Sequence, residues 1–320
     1  MDAPQEFHYR LPGRISGQRP GTHPGSSLGA GQEFVAHRSL YDYPDPRRLD
    51  LRASLRTLRD EWLVRVNRQR AGTAVRALVD VSPSMNFGAT RPKLHIVADF
   101  VQALGISAFS VGDAVGMLAF DTVERTELFM PARVSRGMGS IMAAALRDWS
   151  TQPNRQGNRH GHGGSSQGRG DVAPGHSGSP HSRGSSAHGP LTNGLEDTAS
   201  RLAGQQGLVF LVSDYHWPLS QLTVPLDLMA HATVIPIVVW DSAETQPPIQ
   251  NTLASLSDME TNTRRALWLR PKLRDAWHRA VARRRAEIDQ YFHARALRPF
   301  YMEGTFDPDA LSRYFFEADV

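Results

Sequence analysis

Apolar positions along the chain change period several times, and each change marks an element. Residues 75–81, VRALVDV, form a near-continuous apolar run, the pattern of a strand buried on both faces. After a short polar loop the spacing lengthens. Leu94, Val97, Ala98, Val101, Leu104 and Ala108 recur at helical intervals, and Pro92 suits a first helical turn. GDAVGMLAFD reads as a second buried strand, TELFMPAR as a shorter strand or edge element, and GSIMAAALRDW as a short helix. Further on, LTNGLEDTASRLAG predicts a helix, GLVFLVSD a third buried strand, LTVPLDLMAHA a helix and TVIPIVVWD a fourth buried strand. Strands alternating with helices predict an α/β fold whose mostly parallel central sheet is flanked by helices on both faces.

The flanks divide the rest of the chain. Residues 1–36 are rich in Gly, Pro, Ser and Arg without a lasting period, and read as a flexible N-terminal segment. Residues 37–74 precede the main domain, with an amphipathic LDLRASLRTL and a strand-like EWLVRV. The main domain runs over 75–245. Within it, 151–190 is almost all Gly, Ser, His, Arg, Pro and Asn, and reads as a disordered insertion because too little apolar surface is present to offset its ordering entropy. Residues 246–320 read as a C-terminal strand and helices packed on the domain. RRALWLR is an edge strand, a long helix follows from Pro271 to Leu297, and a last helix opens with Asp307 as cap and Pro308 in its first turn.

Composition narrows the function classes. The chain has 320 residues, enough for a substantial core, and no cysteine, which removes disulfides, thiolate metal sites and a Cys nucleophile. No signal-peptide pattern opens the sequence, and no apolar stretch approaches the ~20 residues that span a bilayer. A cytoplasmic location with no membrane span is the expectation. The formal net charge is +4, mostly from dispersed Arg; without an aromatic-interleaved basic motif, nucleic acid is not the expected partner.

The chemistry gathers at strand ends. In an open parallel sheet, ligands bind outside the carboxyl ends of the strands. Two strands here end in polar clusters, Asp80-x-Ser82-x-Ser84 and Ser213-Asp214. Side chains at i, i+2 and i+4 of an extended loop point the same way, and oxygen donors without Cys or His suit a hard cation such as Mg²⁺ or Mn²⁺. Asp80-Val81-Ser82-Pro83-Ser84 resembles the D-x-S-x-S signature of von Willebrand factor A domains. In that family it forms a metal-ion-dependent adhesion site on a Rossmann-like fold, completed by a Thr before a helix and an Asp at a later strand end. Here SRGMGSIMAAAL puts Ser140 where the Thr is usual, and Asp214 of LVSD matches the later Asp. The resemblance implies the ligand set Asp80, Ser82, Ser84, Ser140 and Asp214. A position left open on the ion would take an acidic residue of a partner.

The likeness extends beyond the motif. Asp45, Arg48, Leu49 and Asp50 follow a pattern found before the A domain in DUF58-type proteins, with Pro44 in place of Gly and Leu51 in place of Trp. LSDMETNTRRALWL and ALSRYF are similar to that family's ending. The resemblance covers His37 to the C-terminus apart from the insertion. Family members often carry membrane-spanning helices near the N-terminus, and none is read here. Stand-alone members accompany MoxR-type AAA+ ATPases, and one kind, MxaS, belongs to methanol dehydrogenase maturation operons. The implied function is a non-enzymatic, metal-dependent adaptor that works with such an ATPase in maturation of a client protein.

Two rivals stay open. A hydrolase would use the same strand ends, but an aspartyl nucleophile at Asp80 wants a second Asp where Ser82 stands, and no G-x-S-x-G is present. His216 reads as a loop residue lining the site rather than a base. A metallochaperone would use His160, His162, His176, His181 and His188 of the insertion, whose irregular spacing favours a flexible linker instead. Asp121 ends another strand, as an outer group of the site or a turn residue. Arg283, Arg284 and Arg285 read as a solvated helix face, and Trp62, Trp217 and Trp240 as packing residues, with Trp217 next to the site loop.

Overall fold

The computed structural model describes residues 6–11, 20–29, 31, 33–57, 61–151, 192–246, 253–257, 264–268 and 270–317. In chain order the strands are β1 (Pro20–Gly29), β2 (Glu33–Ser39), β3 (Leu63–Ala71), β4 (Ala74–Asp80), β5 (Ala114–Phe120), β6 (Met130–Arg133), β7 (Gly207–Ser213), β8 (Ala232–Trp240), β9 (Leu253–Ser257), β10 (Arg264–Trp268) and β11 (Phe300–Glu303). The α-helices are α1 (Leu51–Ser54), α2 (Lys93–Val111), α3 (Met138–Thr151), α4 (Thr192–Ser200), α5 (Thr223–Leu228), α6 (Ser242–Thr245), α7 (Pro271–His293) and α8 (Pro308–Glu317).

The fold is a Rossmann-like α/β domain with a mostly parallel central sheet flanked by helices. Its six-stranded sheet has the order β11-β8-β7-β4-β5-β6, parallel except for β6. Alternation along β4 explains the two layers of core. Val75, Ala77 and Val79 face a cluster shared with α2, α3 and α8, while Leu78 faces the other side, shared with α4, α5 and α7. The chain leaves β4 for β5 on one side and later returns to place β7 on the other. The switch point of the sheet therefore lies between β4 and β7, where Asp80 and Asp214 end their strands.

Several expectations need correction. Residues 1–36 are not uniformly flexible. Phe7, Tyr9 and Leu11 are buried in the core, and β1 and β2 pair with either side of β3 in a second, antiparallel sheet. The anchors alternate at every second residue within a Gly- and Pro-rich setting, too short a run to register as an element. Phe7 packs on Phe100, Phe210 and Phe306, and the Tyr9 hydroxyl and His23 ring both meet Asp113 Oδ2, at 2.5 and 2.7 Å. RRALWLR does not join the main sheet: among the described residues β10 pairs with β9 in a separate two-stranded sheet, and the edges of the main sheet are β6 and β11, the latter parallel to β8. LDLRASLRTL yields only the four residues of α1, capped by Asp50. The insertion, apart from Thr151, lies outside the described residues.

Among the described residues one helix, α2, has the length and apolar composition to cross a membrane. Its apolar surface is spent on the sheet and on α3. The α2–α3 crossing is unusually close. A Cβ on Gly105 would stand 2.3 Å from the Gly139 Cα, and one on Gly139 would stand 2.6 Å from the Gln102 carbonyl. Both obstacles are backbone, so neither can move aside. Gly105→Val is expected to lower stability by about 3 kcal/mol, the upper end of overpacking. Gly137→Ala, with nothing within 4 Å of the added carbon, is expected to stay within about 0.5 kcal/mol of wild type. Urea unfolding of both variants checks the contrast.

Candidate functional site

The carboxyl edge of β4 and β7 gathers most of the expected residues. Val79 pairs with Val212, so Asp80 and Ser213 are neighbours across the sheet. Asp80 is fully buried. Its Oδ1 accepts from the Ser82 amide at 2.9 Å, an Asx turn that starts the loop. Its Oδ2 accepts from the Ser213 hydroxyl at 2.6 Å and from Trp217 Nε1 at 3.3 Å. The Ser82 and Ser84 hydroxyls are 3.2 Å apart, and Ser84 also bonds to Asp214. Asp80, Ser82, Ser84 and Asp214 thus form one cluster. Ser140 does not join it. It is exposed on the first turn of α3, and among the described residues no hydrogen bond connects it to the cluster.

Two residues complete the cluster that sequence reasoning missed. Lys93, the first residue of α2, is fully buried, with Nζ 2.8 Å from Asp214 Oδ2 and 2.7 Å from Glu244 Oε1. Glu244 arrives through a capping box: the Asp241 side chain caps α6, and Glu244 bonds back to the Asp241 amide. Asp241 also accepts from the Ala89 amide at 3.1 Å, tying the β8 end to the loop after β4. The signal for Lys93 was a cation in the first turn of a helix. The helix dipole disfavours that placement, so other charges must hold it.

Electrostatics follow from burial and neighbours. Burial and then the Asp214 charge push Asp80 up to about 6, against hydrogen bonds from Ser213 and Ser82. Burial would also raise Asp214, but the charges of Lys93 and His216 outweigh it and hold Asp214 below the usual carboxylate range. Burial would lower Lys93, and the Asp214 and Glu244 charges reverse this, keeping the ammonium protonated.

The loop after β7 is braced. Tyr215 has φ 52°, in the left-handed region rarely used by bulky residues, and its ring is fully buried. Arg284 on α7 holds this turn by donating to the carbonyls of Tyr215 and Trp217, at 2.6 and 2.5 Å from Nη2. The arginine run is therefore not simply a solvated face. Trp217 closes over Asp80, while Trp240 donates to the Asp214 carbonyl at 3.0 Å and stacks with His216. Trp62 is half-exposed rather than packed. Asp121 is a turn residue: it accepts from the Val123 amide at 3.0 Å and pairs with Arg125. Beside the cluster lies an almost wholly apolar pocket of ≈ 410 Å³, lined by His216, Trp240, Glu244, Trp277, Val281 and Arg284 among others.

The residues do not fit the expected divalent ion. Ser140 is absent from the donor set, both Asp80 oxygens are engaged, and Lys93 already neutralises Asp214. At about 4 Å a divalent ion and an ammonium repel by about 8 kcal/mol at an effective dielectric of ~20, twice the value for unit charges.

The Asp80 environment sets a pH dependence. Its folded value, about 6, lies above its ordinary 3.8, so the folded state binds the extra proton between the two. Stability from this group is full below the ordinary value and is lost as pH rises toward the folded one, by at most about 1.4 kcal/mol per pH unit. Asp214 and Glu244, both held low, act in the opposite sense: their contribution is present above the ordinary values of 3.8 and 4.5 and is lost as pH falls below them. In urea unfolding across this range, Asp80→Asn is expected to gain on wild type steadily as pH rises from 4 to 6. A constant gap between the two proteins would show that Asp80 titrates as an ordinary carboxylate.

Comparison with curated proteins gives no match. Among solved structures, the conserved hypothetical protein BatB from Bacteroides thetaiotaomicron is 12% identical, with a TM-score of 0.38 over 78% of this chain and 99% of that one. An aerotolerance-related membrane protein from Bacteroides fragilis is 11% identical, with a TM-score of 0.36 over 77% of this chain and 98% of that one. Residues 41–287, more than half of the chain, match the family described as "Protein of unknown function DUF58". This chain belongs to the DUF58 family.

Proposed function

We propose that this chain is a non-enzymatic adaptor that docks a protein partner on the carboxyl-edge face of its sheet. The observation that carries the reading is the apolar pocket walled by Trp240, Trp277 and Val281, directly beside the strand-end cluster. Its size falls in the range of built binding pockets, ~300–1,000 Å³. Trp277 donates to the Glu244 carbonyl at 2.7 Å, and Trp240 is fixed by the Asp214 carbonyl, so the indoles are held in place before anything binds. Rigid aromatic walls with satisfied polar atoms suit the insertion of an apolar side chain from a partner.

The cluster beside the pocket favours binding over catalysis. A nucleophile must reach its substrate, and Asp80 is buried with both oxygens committed. The partner class comes from the family resemblance: a MoxR-type AAA+ ATPase, acting with this chain in chaperoning or maturation of a client. In its sharpest form the client is a methanol dehydrogenase, as for MxaS-like proteins. Docking in this reading runs through shape and apolar contact and is not routed through a divalent ion.

Val281 sits half-buried on α7 at the pocket wall, where a charge would oppose an apolar guest. Val281→Glu is expected to weaken binding to a MoxR-type ATPase by at least about tenfold, which is ~1.4 kcal/mol, in a protein that stays folded. Titration calorimetry of the purified pair checks it. Full affinity in a folded Val281→Glu protein removes the pocket from the interface, and turnover of an ester or phosphate lost in Asp80→Ala would turn the reading toward a hydrolase.

A further inference from the structure

We infer that Lys93 is the resident cation of the strand-end cluster, filling with its ammonium the place that a divalent ion takes in D-x-S-x-S sites. Three independent observations converge on this assignment. The first is position. Lys93 Nζ lies 2.8 Å from Asp214 Oδ2, the carboxylate that matches the later ligand of the metal-binding signature, and Ser84 bonds to that same Asp214. The ammonium therefore sits against one carboxylate of the strand-end cluster.

The second is its burial between two anions. The ammonium has hydrogen bonds to two carboxylates from two different elements, the end of β7 and α6, and no solvent exposure. A lysine that merely passed near the site would keep its head in water, as long charged side chains ordinarily do. The third is the helix rule it breaks. Lys93 starts α2, where the macrodipole opposes a positive charge. A chain that places a cation there, buries it and supplies Glu244 through a dedicated capping box has built a site around it.

The consequence for binding is definite. A tethered cation cannot be chelated, exchanged or left with an open coordination position. An acidic residue of a partner finds no electron-poor ion to complete, since Lys93 is already shared by two carboxylates. The cluster is then a metal-independent scaffold for the loops at this edge. The inference rests on the geometry of the cluster and not on the docking reading, which can fail without it.

Mn²⁺ is the probe, followed by electron paramagnetic resonance of the free ion in the full chain. The wild type, Ser82→Ala and Lys93→Met are compared, so that any ion held by the His-rich tract appears equally in all three. Wild type and Ser82→Ala are expected to bind Mn²⁺ indistinguishably. Lys93→Met vacates the position between Asp214 and Glu244, and is expected to gain a saturable Mn²⁺ site and an ion-dependent rise in melting temperature that wild type lacks. Saturable binding to wild type that Ser82→Ala loses would overturn the inference, as would a folded Lys93→Met protein that gains no site. If Lys93→Met does not fold, the comparison of wild type with Ser82→Ala decides alone.

Discussion

A lysine ammonium with no access to water is the constraint on which this end of the molecule depends. Removing such a charge from water is expensive, and breaking a buried pair by losing one partner typically destabilises by about 3–5 kcal/mol. Lys93 therefore requires its carboxylates to be in place. Those carboxylates come from the end of β7 and from α6, while Lys93 itself opens α2. One ammonium thus fixes three connections at the carboxyl edge relative to each other. Asp241 adds a fourth link by capping α6 and holding the Ala89 amide. The edge of an open parallel sheet is otherwise its least ordered part, since only loops meet there.

That fixed edge supports the strained loop beside it. Tyr215 adopts a positive φ immediately after Asp214, and such a conformation persists only where its surroundings over-determine it. Arg284 on the outer helix holds the Tyr215 and Trp217 carbonyls, and the Trp217 indole reaches down to Asp80. Strand end, loop and helix α7 are therefore one mechanical unit. The apolar pocket is cut into the same unit, with Trp277 and Val281 from α7 and Trp240 from β8. A pocket so framed enters binding with little left to order, which is the condition for converting modest apolar area into affinity.

Much of the fold was legible because burial on two faces writes itself plainly. VRALVDV, GDAVGMLAFD, GLVFLVSD and TVIPIVVWD each became a central strand, and the short TELFMPAR became the antiparallel edge. Elements with few apolar positions were not legible. Phe7, Tyr9 and Leu11 lie in a segment whose Gly and Pro content argues for irregular chain, and β11 holds only four residues between two helices. At the site, Asp80, Ser82, Ser84 and Asp214 were found from strand-end position and the alternation of the loop. Ser140 followed from a loop analogy alone, and the structure leaves it on an exposed helix turn. Lys93 and Glu244 were missed because each belongs to an element that looked complete without them: an apolar helix, and the turn after a strand.

The missed pair changes what the D-x-S-x-S pattern means in this chain. Oxygen donors at i, i+2 and i+4 specify only that a positive charge belongs above them; they do not specify its source. A divalent ion satisfies that demand while remaining exchangeable, and so makes a site that can be emptied and refilled. An ammonium on α2 satisfies it as part of the fold. Its cost is met once, during folding, by Asp214 and Glu244. Asp80 is then left as the carboxylate without a cation beside it. Its raised affinity for a proton, set by burial and by the Asp214 charge beside it, is the expected residue of a site that has one fewer positive charge than a metal would bring.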